Sequence, residues 1–158
     1  MVSKSNSLHF FLKLLSVRDY SHVELLKRAE KQDFDSTDID QAVKYLISNN
    51  FLNDERVTQN YINFYYKNKG KLWIWQKCKS KGIAEICFEK VWQEFISSIE
   101  SESISEIIYP EIKTKVQQKY GLENFAKIDP NTLRKIYNYL IYRGFNAQEL
   151  LENWKKTE

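Results

Sequence analysis

Glycine and proline are scarce in this chain, four and two among 158 residues. So few turn-formers exclude a collagen-like or low-complexity chain, and a β design that turns every few residues. Cysteine is scarcer still. Cys78 and Cys87 could close at most one disulfide and cannot supply a zinc quartet, so a reducing, cytoplasmic location is expected. Both read as small buried hydrophobes. The two histidines, His9 and His22, stand in unlike contexts, and no HExxH, GxSxG or GxxxxGKS/T motif occurs. No catalytic residue, metal ligand or cofactor site is therefore expected, and the chain does not read as an enzyme. No apolar run approaches the ~18–20 residues that span a bilayer. The apolar patch Leu8–Leu15 is short, is interrupted by His9 and Lys13, and lacks a small-residue cleavage site. Neither a membrane span nor a signal peptide is expected.

What is present is hydrophobic and aromatic. With 42% hydrophobic and 15% aromatic residues, disorder throughout is excluded, and the length allows one domain or a short array of small units. Helical spacing dominates. Leu8, Phe11, Leu12 and Leu15 share a face, as do Ile39, Ala42, Val43, Leu46 and Ile47, and Phe88, Val91, Trp92, Phe95, Ile96 and Ile99. Val57-Tyr61-Phe64-Tyr65, Leu133-Ile136-Tyr137-Leu140-Ile141 and Ala147-Leu150-Leu151-Trp154 continue the pattern. No segment sustains a period of two, so the expected fold is all-α.

Side chains that can accept hydrogen bonds from the first free N–H groups mark helix starts. Ser21-x-x-Glu24 and Asn146-x-x-Glu149 have capping-box spacing, Asp35 precedes a stripe, and Asp129-Pro130 pairs a cap with a first-turn proline. Gly70, Gly82, Gly121 and Gly144 fall between stripes and are expected as left-handed C-caps. None is left over to cradle a phosphate.

Aligning the stripes on these breaks reveals a repeat. Asp33-Phe34 matches Gly82-Ile83 and Gly144-Phe145. Leu25 then matches Ile74 and Ile136, Ala29 matches Cys78 and Leu140, Ile39 matches Phe88 and Leu150, and Val43 matches Trp92 and Trp154. The copies are 49 and 62 residues apart. The expected organisation is a three-helix unit over 8–50, a second over 51–99, a Ser/Glu-rich helix extension or linker over 100–110, and a third unit over 111–156. Units this small bury little surface alone and should lean on their neighbours. The expected result is an elongated array, suited to a large partner rather than to enclosing a small substrate.

The net charge of +3 hides a sharp partition. Residues 57–84 hold six lysines and no acid, whereas 85–111 hold seven acids and one base. The first stretch creates a local positive field in a nearly neutral chain. Its core, Tyr61 to Lys81, interleaves aromatics with lysines, a pattern able to stack bases and contact phosphates, although Tyr61, Phe64, Tyr65 and Ile74 are also spaced as core. A solvated basic face is the plainer reading, and for Lys81 and Arg143 so is complementing a helix dipole.

In combination these features resemble the RecX family, small regulators of the bacterial recombinase RecA. The similarity runs over roughly residues 8–156. It rests on Leu14-Leu15-Ser16-Val17-Arg18-Asp19-Tyr20-Ser21-His22-Val23-Glu24-Leu25, on Phe51-Leu52-Asn53-Asp54-Glu55-Arg56-Val57, on Gly70-x-x-x-Ile74 with Lys81-Gly82-Ile83, and on Leu140-Ile141-Tyr142-Arg143-Gly144-Phe145. The chain departs from the family pattern in four places. Cys78 and Ala29 stand where leucine is usual, Val57-Thr58 replaces an aromatic-Ala pair, and Tyr65-Tyr66-Lys67-Asn68-Lys69 replaces an arginine-rich run. Lysine keeps the charge of arginine but loses its bidentate geometry.

The resemblance implies a non-enzymatic regulator that lies in the groove of the RecA–single-stranded-DNA filament and inhibits ATP hydrolysis, strand exchange and coprotease activity. A monomer with no membrane partner is expected. The RecA filament is the expected partner, and single- or double-stranded DNA a further one. The candidate contact residues are Arg56, Lys67, Lys69, Lys71, Lys77, Lys81, Arg134, Lys135 and Arg143. A stand-alone nucleic-acid-binding helical module is the alternative, and a helical scaffold for an unrelated protein a third reading. Arg56 also has a purely structural reading, as a tether between adjacent helices.

Overall fold

Asn6, Ser21, Asp129 and Asn146 each place a side-chain oxygen on a backbone N–H of the first helical turn, and helices begin where these caps stand. The computed structural model describes residues 6–99 and 109–157, and all regular structure among them is helical. The helices are α1 (Ser7–Leu15), α2 (His22–Ala29), α3 (Ser36–Ser48), α4 (Asp54–Tyr65), α5 (Lys71–Ser80), α6 (Glu85–Ser97), α7 (Pro110–Tyr120), α8 (Pro130–Tyr142) and α9 (Ala147–Lys156). Most of the linker expected at 100–110 lies outside the described residues.

The caps differ in detail from the sequence expectation. Ser21 and Glu24 form a complete capping box. Asn146 accepts from the Glu149 N–H at 3.2 Å, and Asp129 from the Thr132 N–H at 2.9 Å. Asp35 precedes α3 without a side-chain cap bond.

Repeat positions fall on equivalent helices. Leu25/Ala29, Ile74/Cys78 and Ile136/Leu140 sit on α2, α5 and α8, and all six are buried. Their downstream partners sit on α3, α6 and α9, where Val43, Phe88, Trp92, Leu150 and Trp154 are buried and Ile39 partly so. The stripes overreach at their margins. Ile47, Phe64, Tyr137 and Ile141 are exposed, so Phe64 is not core despite its spacing.

Contacts divide the chain into two compact units. One combines the residues up to Asn60 with Cys78–Val91, and the other combines Tyr61–Lys77 with Trp92 onward. In the first, α1 packs on α3 around Phe11, Leu25, Val43, Leu46 and Leu52. In the second, α8 packs on α9 around Ile112, Phe125, Ile136, Leu140 and Trp154.

Each unit contains the same joint. In the first, the Ser21 hydroxyl donates to the Lys81 carbonyl, and left-handed Gly82 lies so close to Val23 that an added Cβ would meet the Val23 Cβ at 2.4 Å. In the second, the Gly70 N–H donates to the Arg143 carbonyl at 2.9 Å and the Leu72 N–H to the Gly144 carbonyl at 3.3 Å. Ser21 and Gly70 occupy the same repeat position, as do Lys81-Gly82 and Arg143-Gly144. The start of α2 thus grips the turn after α5, and the start of α5 grips the turn after α8. Gly70 corrects an expectation: it is not a left-handed C-cap. It begins α5, accepting from the Ile74 N–H at 3.1 Å, and it is small because a Cβ would lie 2.2 Å from the Gly144 oxygen.

Candidate functional site

In the first unit the Arg56 guanidinium is used internally, whereas Lys81 lends only its backbone carbonyl. From α4, Arg56 reaches the Asp19 carboxylate with Nε at 3.1 Å and Nη2 at 3.0 Å, while Nη1 donates to the Asn50 carbonyl at 2.9 Å and Nη2 to that of Phe51 at 3.1 Å. Asn60 adds a bond to the same carboxylate at 3.0 Å. Arg56 thus ties α4 to the connections α1–α2 and α3–α4, rather than tethering one helix to another as its structural reading had it. Lys81 contributes its carbonyl to the joint, and Gly82 follows it in the left-handed conformation that ends α5.

The second unit gathers the remaining candidates. Lys67 and Lys69 lie on the turn after α4, Lys71 opens α5 and Lys77 is half-buried on it, Arg134 and Lys135 are exposed on α8, and Arg143 caps that helix. The joint brings the turn carrying Lys69 and Lys71 against the end of α8 carrying Arg143. Aromatic rings hold several of these charges. Lys69 Nζ lies 4.7 Å from the Trp73 ring centre, Lys71 Nζ 5.9 Å from that of Trp92, and Lys67 Nζ 5.9 Å from that of Tyr66. The Arg143 guanidinium lies 4.5 Å from the Tyr139 ring. Such contacts contribute about 0.5–1 kcal/mol at exposed sites. Burial, and then the nearby Arg143 charge, hold the Lys69 ammonium below its ordinary pKa. Arg134 and Lys135 are not drawn into the joint, and Arg134 bonds Asn131 on its own helix at 3.3 Å.

Two lysines of this surface escaped the sequence reading. On α7, Lys115 Nζ donates to Asn68 Oδ1 at 2.6 Å, which pins the lysine turn. One helical turn later, Lys119 Nζ lies 4.5 Å from the Tyr139 ring that Arg143 also approaches. Their i, i+4 spacing was visible, but their meeting with residues 68 and 139 depends on the fold.

Clefts are also present among the described residues. One of about 410 Å³ in the first unit is lined by His22, Asn50, Asn53, Asp54 and Glu55. One of about 270 Å³ in the second is lined by Lys71, Trp92, Tyr109, Phe145 and Glu149. Burial raises the Tyr109 hydroxyl well above its usual range. Among the described residues no group of His, Cys, Asp or Glu is placed to hold a metal ion, and no helix is long and apolar enough to cross a membrane. Burial pushes the Cys78 thiol up to about 12, which favours its neutral thiol form at neutral pH. What this arrangement offers chemically is a cationic, aromatic-backed surface.

No family model matches the chain. It is 26% identical over 150 residues to regulatory protein RecX of Haemophilus influenzae strain PittEE, covering 94% of this chain and 92% of that one. With regulatory protein RecX of Syntrophotalea carbinolica it shares 25% identity over 153 residues, 96% of each chain. The fold matches the crystal structure of RecX from Lactobacillus salivarius with a TM-score of 0.75 at 17% identity over 96% of both chains. A second crystal structure of a regulatory protein RecX gives 0.70 at 18% identity, covering 93% of this chain and 71% of that one.

Proposed function

We propose that this chain, a homologue of the RecX regulatory proteins along nearly its whole length, regulates the RecA–single-stranded-DNA filament as a cytoplasmic monomer. In this reading it binds in the filament groove and lowers ATP hydrolysis, strand exchange and coprotease activity. The observation that carries the reading is the relationship to RecX proteins over at least 94% of the chain. Three repeated units over 8–50, 51–99 and 111–156 fit the task, and their support is the threefold recurrence of a helix triplet with matched buried positions. Contact falls to Lys81 of the first unit and to the cationic residues of the second, Lys67, Lys69, Lys71, Lys77, Arg134, Lys135 and Arg143.

The test is ATP hydrolysis by RecA on single-stranded DNA, titrated with this chain. Inhibition is expected, and it should weaken when Lys67, Lys69 and Lys71 are all changed to Glu, with circular dichroism showing that the triple variant remains folded. An unaltered hydrolysis rate at saturating protein overturns the reading. The acid-free stretch 57–84 favours one competitor, a stand-alone nucleic-acid binder. It requires tight binding to DNA without RecA, falling steeply with salt as phosphate contacts release counterions.

A further inference from the structure

A lysine becomes a nucleophile when water is kept from its ammonium or when a second cation stands close, because either favours the neutral amine. Lys69 meets both conditions. The Trp73 ring, its centre 4.7 Å from Nζ, covers one side of it, and the bond from the Gly70 N–H to the Arg143 carbonyl keeps Arg143 beside it. Burial first, and then the Arg143 charge, hold its pKa down. Among the described residues Lys69 has no ion pair with a carboxylate that would restore the charged form. Its neighbours are placed differently. Lys67 is exposed, and Lys115 donates to Asn68 Oδ1 at 2.6 Å.

The same surroundings select the electrophile. Lys119 and Arg143 both approach the Tyr139 ring, each at 4.5 Å, and among the described residues neither forms an ion pair with a carboxylate. Cations are thus gathered from the α4–α5 turn and from the ends of α7 and α8. Such a cluster raises the local concentration of small anions. A neutral acyl ester gains nothing from it. An acyl phosphate is drawn in by its phosphate, which is also its leaving group, and its acyl carbon is delivered to the side of the unit where Lys69 stands.

We propose that Lys69 is an acylation site whose donor is a small acyl phosphate, with Arg143 and Lys119 holding the phosphate. The neutral ε-amine attacks the acyl carbon and a C–N bond forms. The C–O bond to phosphate breaks, its electron pair leaving with the phosphate, and the surplus proton on nitrogen passes to water or to the departing phosphate. The product is an uncharged amide. The site itself does not depend on any action on RecA. Its consequence rests on the filament reading, in which acylation removes one of the charges that make the contact.

In the test the full chain is incubated at pH 8 with acetyl phosphate or, separately, with the neutral ester p-nitrophenyl acetate, and each acetylated lysine is located and quantified by peptide mass spectrometry. With acetyl phosphate, Lys69 should be modified fastest, ahead of Lys67 and Lys71. Arg143→Gln and Lys119→Gln, each verified as folded by circular dichroism, should slow Lys69 with acetyl phosphate by about threefold, the weight of one charge about 6 Å from the donor in water. With the neutral ester the slowing should be smaller. Lys119→Gln carries the comparison if Arg143→Gln unfolds. Acetylation spread evenly over the lysines or centred elsewhere overturns the proposal, and so does equal slowing with both donors. Treated chain should inhibit RecA hydrolysis less than untreated chain, and this loss should shrink in Lys69→Arg. Preferred acetylation of Lys69 in a chain that leaves RecA unaffected, treated or not, supports the site while removing the filament reading.

Discussion

Arg56 sets three of its nitrogens on Asp19 and two backbone carbonyls, and the pair is only about a third exposed on either side. A charged hydrogen-bonded pair of this kind stabilises more than a surface ion pair. Arg56→Ala should therefore lower unfolding stability by about 1–3 kcal/mol in urea titrations. Arg56→Lys should recover only part of that, because an ammonium cannot reproduce the fork. The Asp129 carboxylate, held below its usual pKa chiefly by its bonds to Thr132, adds a pH signature. Its contribution to stability is complete above the unfolded value of about 3.9 and is lost as pH falls through the lower folded value. Asp129→Ser keeps a cap without the charge. Between pH 6 and pH 2.5 the urea midpoint should therefore fall further for wild type than for this variant. Cys78, with its thiol at about 12, should resist a thiol reagent at pH 8 until the chain unfolds, as stopped labelling followed by mass spectrometry would read.

At the scale of elements, the two joints set the strongest local constraint. Gly70→Ala forces a Cβ to within 2.2 Å of a backbone oxygen, and Gly144→Ala adds a left-handed backbone at φ +82° to a clash with the Trp73 N–H. Each should cost about 3 kcal/mol and lower the melting temperature visibly in calorimetry. Gly121→Ala is the contrast. It has the same backbone hand but open space around the Cβ, so only about 1 kcal/mol is at stake. Helix starts were readable from sequence because a cap is a local event, as Ser21 with Glu24 and Asp129 with Thr132 illustrate. Gly70 was misread for the opposite reason. Its requirement comes from Gly144, which no local pattern announces. Phe64 fell to a different cause: periodicity places a residue on a face, but only the packing partners decide how wide the buried face is, and at Phe64 none covers it.

At the scale of the whole molecule, the acid-free stretch 57–84 was legible as charge. Which of its lysines join Arg143 was not, because the joint couples positions far apart in the chain. Lys81 and Arg56 belong to the first unit and Lys69, Lys71 and Arg143 to the second, a division that stripes and spacings did not mark. Since α4, α5 and α6 each contribute residues to both units, the repeat drawn in sequence and the compact units drawn by contact have different borders. If cationic contacts carry inhibition of RecA, raising monovalent salt from about 0.05 to about 0.15 M shortens the screening length towards 8 Å and should increase the concentration needed for half-inhibition. The Lys67/Lys69/Lys71→Glu variant should show a flatter dependence, in hydrolysis assays run side by side.

Carbonyl and amide groups are common to every amino acid, so helices clasped mainly through them demand little of the residues nearby. In the second joint only a missing side chain is required, at Gly70 and Gly144, together with a backbone able to follow the turn. Descendants of such a chain can exchange most other positions over evolutionary time while tracing the same path. A change at either glycine, by contrast, should be tolerated only with a compensating shift in the opposing turn.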